Sequence, residues 1–155
     1  MLSSVVAFFQ NPETVCLVLA HPDILLLKKV EEKILTGYQL ACLHTGKELS
    51  SVLLTTPQSQ RSHMARQWLE TTLREKSTEP VLCSDIDLLF QPSFDFDPVM
   101  LFRQISRHTR LIVLWPGTYD NGVLAYATPE HQHYRTWRQP QAAVIDLRGV
   151  SDALS

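Results

Sequence analysis

Val81-Leu82-Cys83-Ser84-Asp85-Ile86-Asp87-Leu88-Leu89-Phe90 is an apolar run that opens into acidic residues. It reads as a strand buried on both faces, with Asp85 and Asp87 delivered at its carboxyl end. Working outward, Val15 to Ala20 is a second unbroken apolar run of strand length, and Leu111 to Trp115 is a third. Shorter strands are expected at Tyr38–Leu43 and Ala142–Leu147. Helical spacing fills the gaps. Asp23 caps a helix to about Leu35, with Leu26, Leu27, Val30 and Ile34 on one face and Gly37 as its C-cap. Glu48–Thr56 is a short helix stopped by Pro57, and a longer one runs from Ser59 to Lys76 with Met64, Trp68 and Leu69 inward. Asp97-Pro98 starts a helix that ends near His108. Asp120-Asn121-Gly122 turns the chain into a small hairpin through Leu124 and Tyr126. Strands alternating with helices predict an α/β three-layer sandwich around a mostly parallel sheet.

At 155 residues the chain suits one domain, 1–155, which buries about two-thirds of its unfolded surface. Residues 1–12 form a first helix or a docking segment, because the opening carries no basic region of the kind a signal peptide needs. A net charge of −2 and a pI near 6.3 argue against a strongly basic nucleic-acid binder. Cys16, Cys42 and Cys83 sit inside apolar runs without paired spacing and read as reduced thiols, which fits a cytoplasmic protein. No apolar run reaches the roughly 18 residues that span a bilayer, so no membrane association is expected.

An apolar strand ending in carboxylates is the pattern of the Walker B strand of P-loop NTPases, so the expected fold is P-loop NTPase-like. Its companion, a glycine-rich loop ending in Gly-Lys-Ser/Thr, wraps phosphate with backbone N–H groups and reaches it with the lysine. After the first strand this chain offers Ala20-His21-Pro22-Asp23-Ile24-Leu25-Leu26-Leu27-Lys28-Lys29. It has no glycine, a proline without an N–H, and a carboxylate where phosphate would bind. Lys28 and Lys29 read as a solvated helix face. Ala41-Cys42-Leu43-His44-Thr45-Gly46-Lys47-Glu48 holds a Gly-Lys pair, but Glu48 replaces the magnesium-binding hydroxyl, and the stretch reads as a helix start. Asp85 and Asp87 can hold magnesium through water, or else cap the turn after their strand. No nucleotide, metal or catalytic residue is therefore assigned. The alternative is a small ATPase using ATP and Mg²⁺, with Gly46 and Lys47 at the nucleotide and Asp85 and Asp87 catalytic.

His131-Gln132-His133, beside Glu130, has spacing that a metal can use on a strand, but nothing completes a site. No Ser-His-Asp, Cys-His or paired-carboxylate constellation stands out. Arg103, Arg107 and Arg110, with His108, concentrate positive charge and make an alternative nucleic-acid surface. Trp115 and Tyr119 at the Pro116-Gly117 corner, and Tyr134 with Trp137, are the candidate protein interface, with Trp115 equally readable as a core residue.

The segments DIDLLFQP (85–92), DPVMLFRQISRHTRLIVLWPGTY (97–119) and YATPEHQHYRTW (126–137) resemble BrxF, the small P-loop-containing protein of bacteriophage exclusion (BREX) systems. The resemblance covers roughly residues 15–137. It implies a cytoplasmic component of a prokaryotic antiphage defence, acting through other defence-system proteins: a larger ATPase, a methyltransferase or a phosphatase-like subunit. Any association with DNA would then be indirect. The family's Walker A loop corresponds to Ala20–Lys29, where its glycines and Gly-Lys-Thr/Ser ending are missing. Aligned on Leu88-Leu89-Phe90, the acidic segment places Ser84 at the metal-binding aspartate and Asp87 at the glutamate; a shift of one residue brings Asp85 there instead. The resulting expectation is a non-catalytic or weakly nucleotide-binding assembly or regulatory module.

Overall fold

Five apolar runs become five parallel strands. The computed structural model describes residues 2–150, so residue 1 and residues 151–155 of the expected domain lie outside the described residues. The elements are α1 (Ser3–Gln10), β1 (Cys16–His21), α2 (Ile24–Gly37), β2 (Ala41–His44), α3 (Thr45–Leu53), α4 (Arg61–Glu75), β3 (Val81–Ser84), α5 (Pro98–Ile105), β4 (Leu111–Asp120), β5 (Val123–Tyr126), β6 (Arg135–Arg138) and β7 (Ala143–Asp146). The parallel sheet runs β2-β3-β4-β1-β7, and β5 and β6 add an antiparallel extension to the far end of β4.

Both faces of the sheet are covered, because successive strand residues point to opposite sides. Leu17, Leu19, Leu82, Ile112 and Leu114 pack under α1 and α2, against Val5, Phe8, Leu27, Val30 and Ile34. Val18, Ala20, Leu43, Cys83, Val113 and Trp115 pack under α3, α4 and α5, against Leu49, Leu69, Leu73 and Phe102. The three-layer expectation holds.

Local chemistry sets the ends of the elements. The Asp23 carboxylate accepts from Leu25 N and starts α2, and the Asp97 carboxylate accepts from Val99 N and Met100 N and starts α5 ahead of Pro98. Asn121 and Gly122 both adopt positive φ, the geometry of the tight hairpin turn between β4 and β5. Three expectations need correction. Gly37 ends α2 in ordinary helical geometry, with Tyr38 as the capping residue. Helix α3 begins at Thr45, three residues early, because Asp85 supplies its N-terminal partners. Strand β4 does not stop at Trp115; it runs through Pro116, whose carbonyl accepts from Ala127 N, into the hairpin.

Candidate functional site

A cavity of about 470 Å³ opens at the carboxyl ends of β2, β3 and β4, beneath the first half of α2. This is where open parallel α/β sheets place ligands. Leu27 and Leu114 give it an apolar floor; Glu31, His44, Lys47 and Ser84 supply polar groups.

The expected nucleotide residues do meet at its rim, but Gly46, Lys47 and Asp85 bind one another and Asp87 binds Tyr126. Asp85 follows β3 with φ of 55°, a left-handed conformation that aspartate tolerates better than most residues. From there its carbonyl accepts from Gly46 N at 2.7 Å and its Oδ2 from Lys47 N at 3.0 Å. The aspartate thus satisfies the unpaired N–H groups that open α3. Gly46 is glycine for the same reason: a Cβ there would lie 2.8 Å from Asp85 Oδ2 and 3.0 Å from its carbonyl oxygen. Glu48 turns back to accept from His44 N at 3.1 Å. Asp87 Oδ1 accepts from the hydroxyl of buried Tyr126 at 2.7 Å, and burial together with that carboxylate pushes the tyrosine hydroxyl well up.

At the start of α2, His21 Nδ1 accepts from Asp23 N at 2.9 Å while the Asp23 carboxylate takes Leu25 N. Ile24 and Leu25 occupy the first turn and are exposed. A triphosphate with magnesium does not fit these residues: the helix N-terminus carries its own anion, Pro22 has no N–H, and Asp85 is engaged. Substituting Asp85→Ala removes the cap and puts alanine in a left-handed position. We expect a loss of about 1–2 kcal/mol in urea denaturation, with Asp85→Asn losing less. A variant as stable as the parent would show that α3 does not depend on this carboxylate.

The remaining candidates separate. Arg110 is not part of a free basic patch: its guanidinium donates to Phe8 O, Asn11 O and Thr14 O and lies 4.0 Å over the Phe8 ring. Arg103 Nη2 donates to Gln141 Oε1 at 2.9 Å, which leaves Arg107 exposed beside it. Trp115, offered both as an interface residue and as core, lies in the core and not on a free surface. It is 1% exposed, donates from Nε1 to Ala125 O at 2.9 Å, and meets the Phe90 and Trp137 rings edge-on. Trp137 and Tyr119 are half-buried against the same cluster, and Trp137 Nε1 donates to Asp97 Oδ1. Tyr134 alone of the four interface candidates is a large exposed ring. His131 Nδ1 accepts from His133 N, so that pair shapes its own loop.

A cluster that the sequence reading did not assemble lies on the α2 side of β2. Cys42 Sγ is 3.6 Å from Glu31 Oε1 and 3.8 Å from His44 Nε2, and His44 Nε2 is 3.2 Å from Glu31 Oε1. The signal was present in Cys42-Leu43-His44, which places sulfur and imidazole on one face of a strand; Glu31 arrives from the preceding crossover. Comparison of the chain with protein-family models, curated proteins and solved structures yields no match. Among the described residues no helix is long and apolar enough to cross a membrane.

Proposed function

We propose that this chain is a P-loop-like α/β domain that does not hydrolyse nucleotide and works as an assembly or regulatory subunit through protein partners. The observation that carries the reading is the pair of carboxylates at the two helix starts facing the crevice. Asp23 holds Leu25 N and Asp85 holds Lys47 N, so each place where a phosphate would be gripped already has an anion. Ser84 is the last residue of β3, the position that one register of the BrxF resemblance gives to the metal-binding acid. That resemblance supplies the proposed setting: a cytoplasmic role in prokaryotic antiphage defence, among other defence proteins and near DNA only through them.

The experiment has two arms. Calorimetric titration with Mg·ATP should give no binding tighter than about 10 μM, roughly −6.8 kcal/mol; tighter binding would sink the non-catalytic reading. Tagged protein, expressed with the defence genes around it, should retain a methyltransferase or large ATPase subunit through a high-salt wash. Recovery of the chain alone would count against the assembly role.

A further inference from the structure

Neither the fold nor the reading above uses Glu31, Cys42 and His44. Strand β2 is one edge of the parallel sheet. Leu43 turns into the core on the α3 side, while Cys42 and His44 turn toward α2, next to Ser84 on β3. Two ligand-type side chains of β2 therefore meet a third, Glu31 of α2, beside a sheet face whose buried residues are mostly aliphatic. Their spacing is specific. A tetrahedral zinc ion, with Zn–S near 2.3 Å and Zn–N and Zn–O near 2.1 Å, holds its ligand atoms about 3.3–3.6 Å apart. The separations here are 3.6, 3.8 and 3.2 Å, already close to one face of such a tetrahedron.

A second observation points the same way. The hydroxyl of Ser84, a residue 6% exposed, lines the cavity beside the Cys42 thiol and makes no hydrogen bond of normal geometry. His44 is half-exposed, so an ion can enter from solvent, and Glu48 fixes the backbone of His44 from behind.

We infer that Glu31 Oε1, Cys42 Sγ and His44 Nε2 bind one Zn²⁺ ion, leaving a fourth position for water or a small ligand at the crevice. Thiolate, imidazole and carboxylate together suit zinc better than the hard cations magnesium and calcium. On binding, the Cys42 S–H bond breaks, an S–Zn bond forms, and the proton leaves to solvent. Without the ion, burial and then the Glu31 charge push the Cys42 thiol up to about 11, so it stays protonated against Glu31.

The test is titration of the metal-stripped full chain with Co²⁺, followed by displacement with Zn²⁺. The expected result is one equivalent of tetrahedral cobalt with a thiolate-to-cobalt absorption band, abolished by zinc. Cys42→Ser, and separately Cys42→Ala, should lose the band while keeping the far-UV dichroism of the parent. Glu31→Gln and His44→Ala should each weaken binding at least about 10-fold. Cys16 and Cys83 are buried thiols, 7% and 0% exposed, so a band that survives in Cys42→Ser would overturn the assignment. So would the absence of a band in the parent, or unchanged affinity in both Glu31→Gln and His44→Ala.

Discussion

Replacing Gly117 with alanine should cost about 3 kcal/mol or more, the largest effect expected of any single methyl group in this chain. Gly117 stands in β4 opposite Tyr126, where the strand leaves the parallel sheet for the hairpin. A Cβ built there lies 1.8 Å from the carbonyl oxygen of Ala125 and 3.0 Å from Trp115 Nε1. The obstacle is backbone, so no change of rotamer relieves it. That carbonyl is also the acceptor for Trp115 Nε1 at 2.9 Å. Pushing it aside strands a buried indole N–H, a loss of about 1–3 kcal/mol, on top of about 1–3 kcal/mol for overpacking. It also loosens the edge-on contacts of Trp115 with Phe90 and Trp137. Urea denaturation followed by tryptophan emission reads all of this, and the midpoint of thermal unfolding should fall by roughly 6–12 °C. Gly149→Ala is the control, because nothing lies within 4 Å of a Cβ there. A Gly117→Ala protein within 1 kcal/mol of the parent would mean that the hairpin does not close on the sheet as described.

The same corner shows where sequence reading succeeds and where it stops. The central strands β1, β3 and β4 were legible because each is buried on both faces and so must be continuously apolar. The starts of α2 and α5 were legible because a capping carboxylate is local chemistry, as Asp23 and Asp97 demonstrate. Pro116-Gly117 looked like a corner that left Trp115 readable either as surface or as core. Strand β4 instead runs through it, since pairing there needs only the proline carbonyl, and the hairpin folds over the indole. Strand β6, Arg-Thr-Trp-Arg, was not expected as a strand at all: among the described residues it pairs only with β5, and it depends on Trp137 reaching Asp97, 40 residues away.

The crevice divides in the same way. The missing glycines after β1 were visible in the sequence. The true partner of Gly46-Lys47 was not, because Asp85 is 38 residues further on and meets them only when β2 and β3 lie side by side. Cys42 was read as a small hydrophobe in an apolar run. Drawing β2 at Ala41–His44 turns it, with His44, out of that run and toward Glu31.

Arg110→Ala should destabilise the protein by about 2–3 kcal/mol, and it should do so by releasing α1. The guanidinium sits where the last carbonyls of α1 are left without partners, a position that favours a cation. Its Nε donates to Thr14 O at 3.1 Å, and Nη2 bridges Phe8 O, Asn11 O and Thr14 O. Burial lowers its pKa from the ordinary arginine value, but the group stays charged at neutral pH. One charged hydrogen bond contributes about 1.5–3 kcal/mol; these share one partly exposed head group, so they do not add in full. Lysine cannot reproduce the fork, and Arg110→Lys should recover less than half of the loss. Once α1 loosens, Leu2, Val5 and Phe8 lose their cover over β1 and α2, and the Phe9–Tyr38 stack at 4.1 Å opens. Hydrogen exchange should therefore accelerate across Ser3–Gln10 before it changes in β3 or β4, with Arg107→Ala near neutral, within about 0.5 kcal/mol. Protection of α1 unchanged in Arg110→Ala would contradict this anchoring role. The distinction matters for any nucleic-acid assay. A binding defect in Arg110→Ala would report a displaced helix, whereas a steep salt dependence lost in the exposed Arg107→Ala would report phosphate contact.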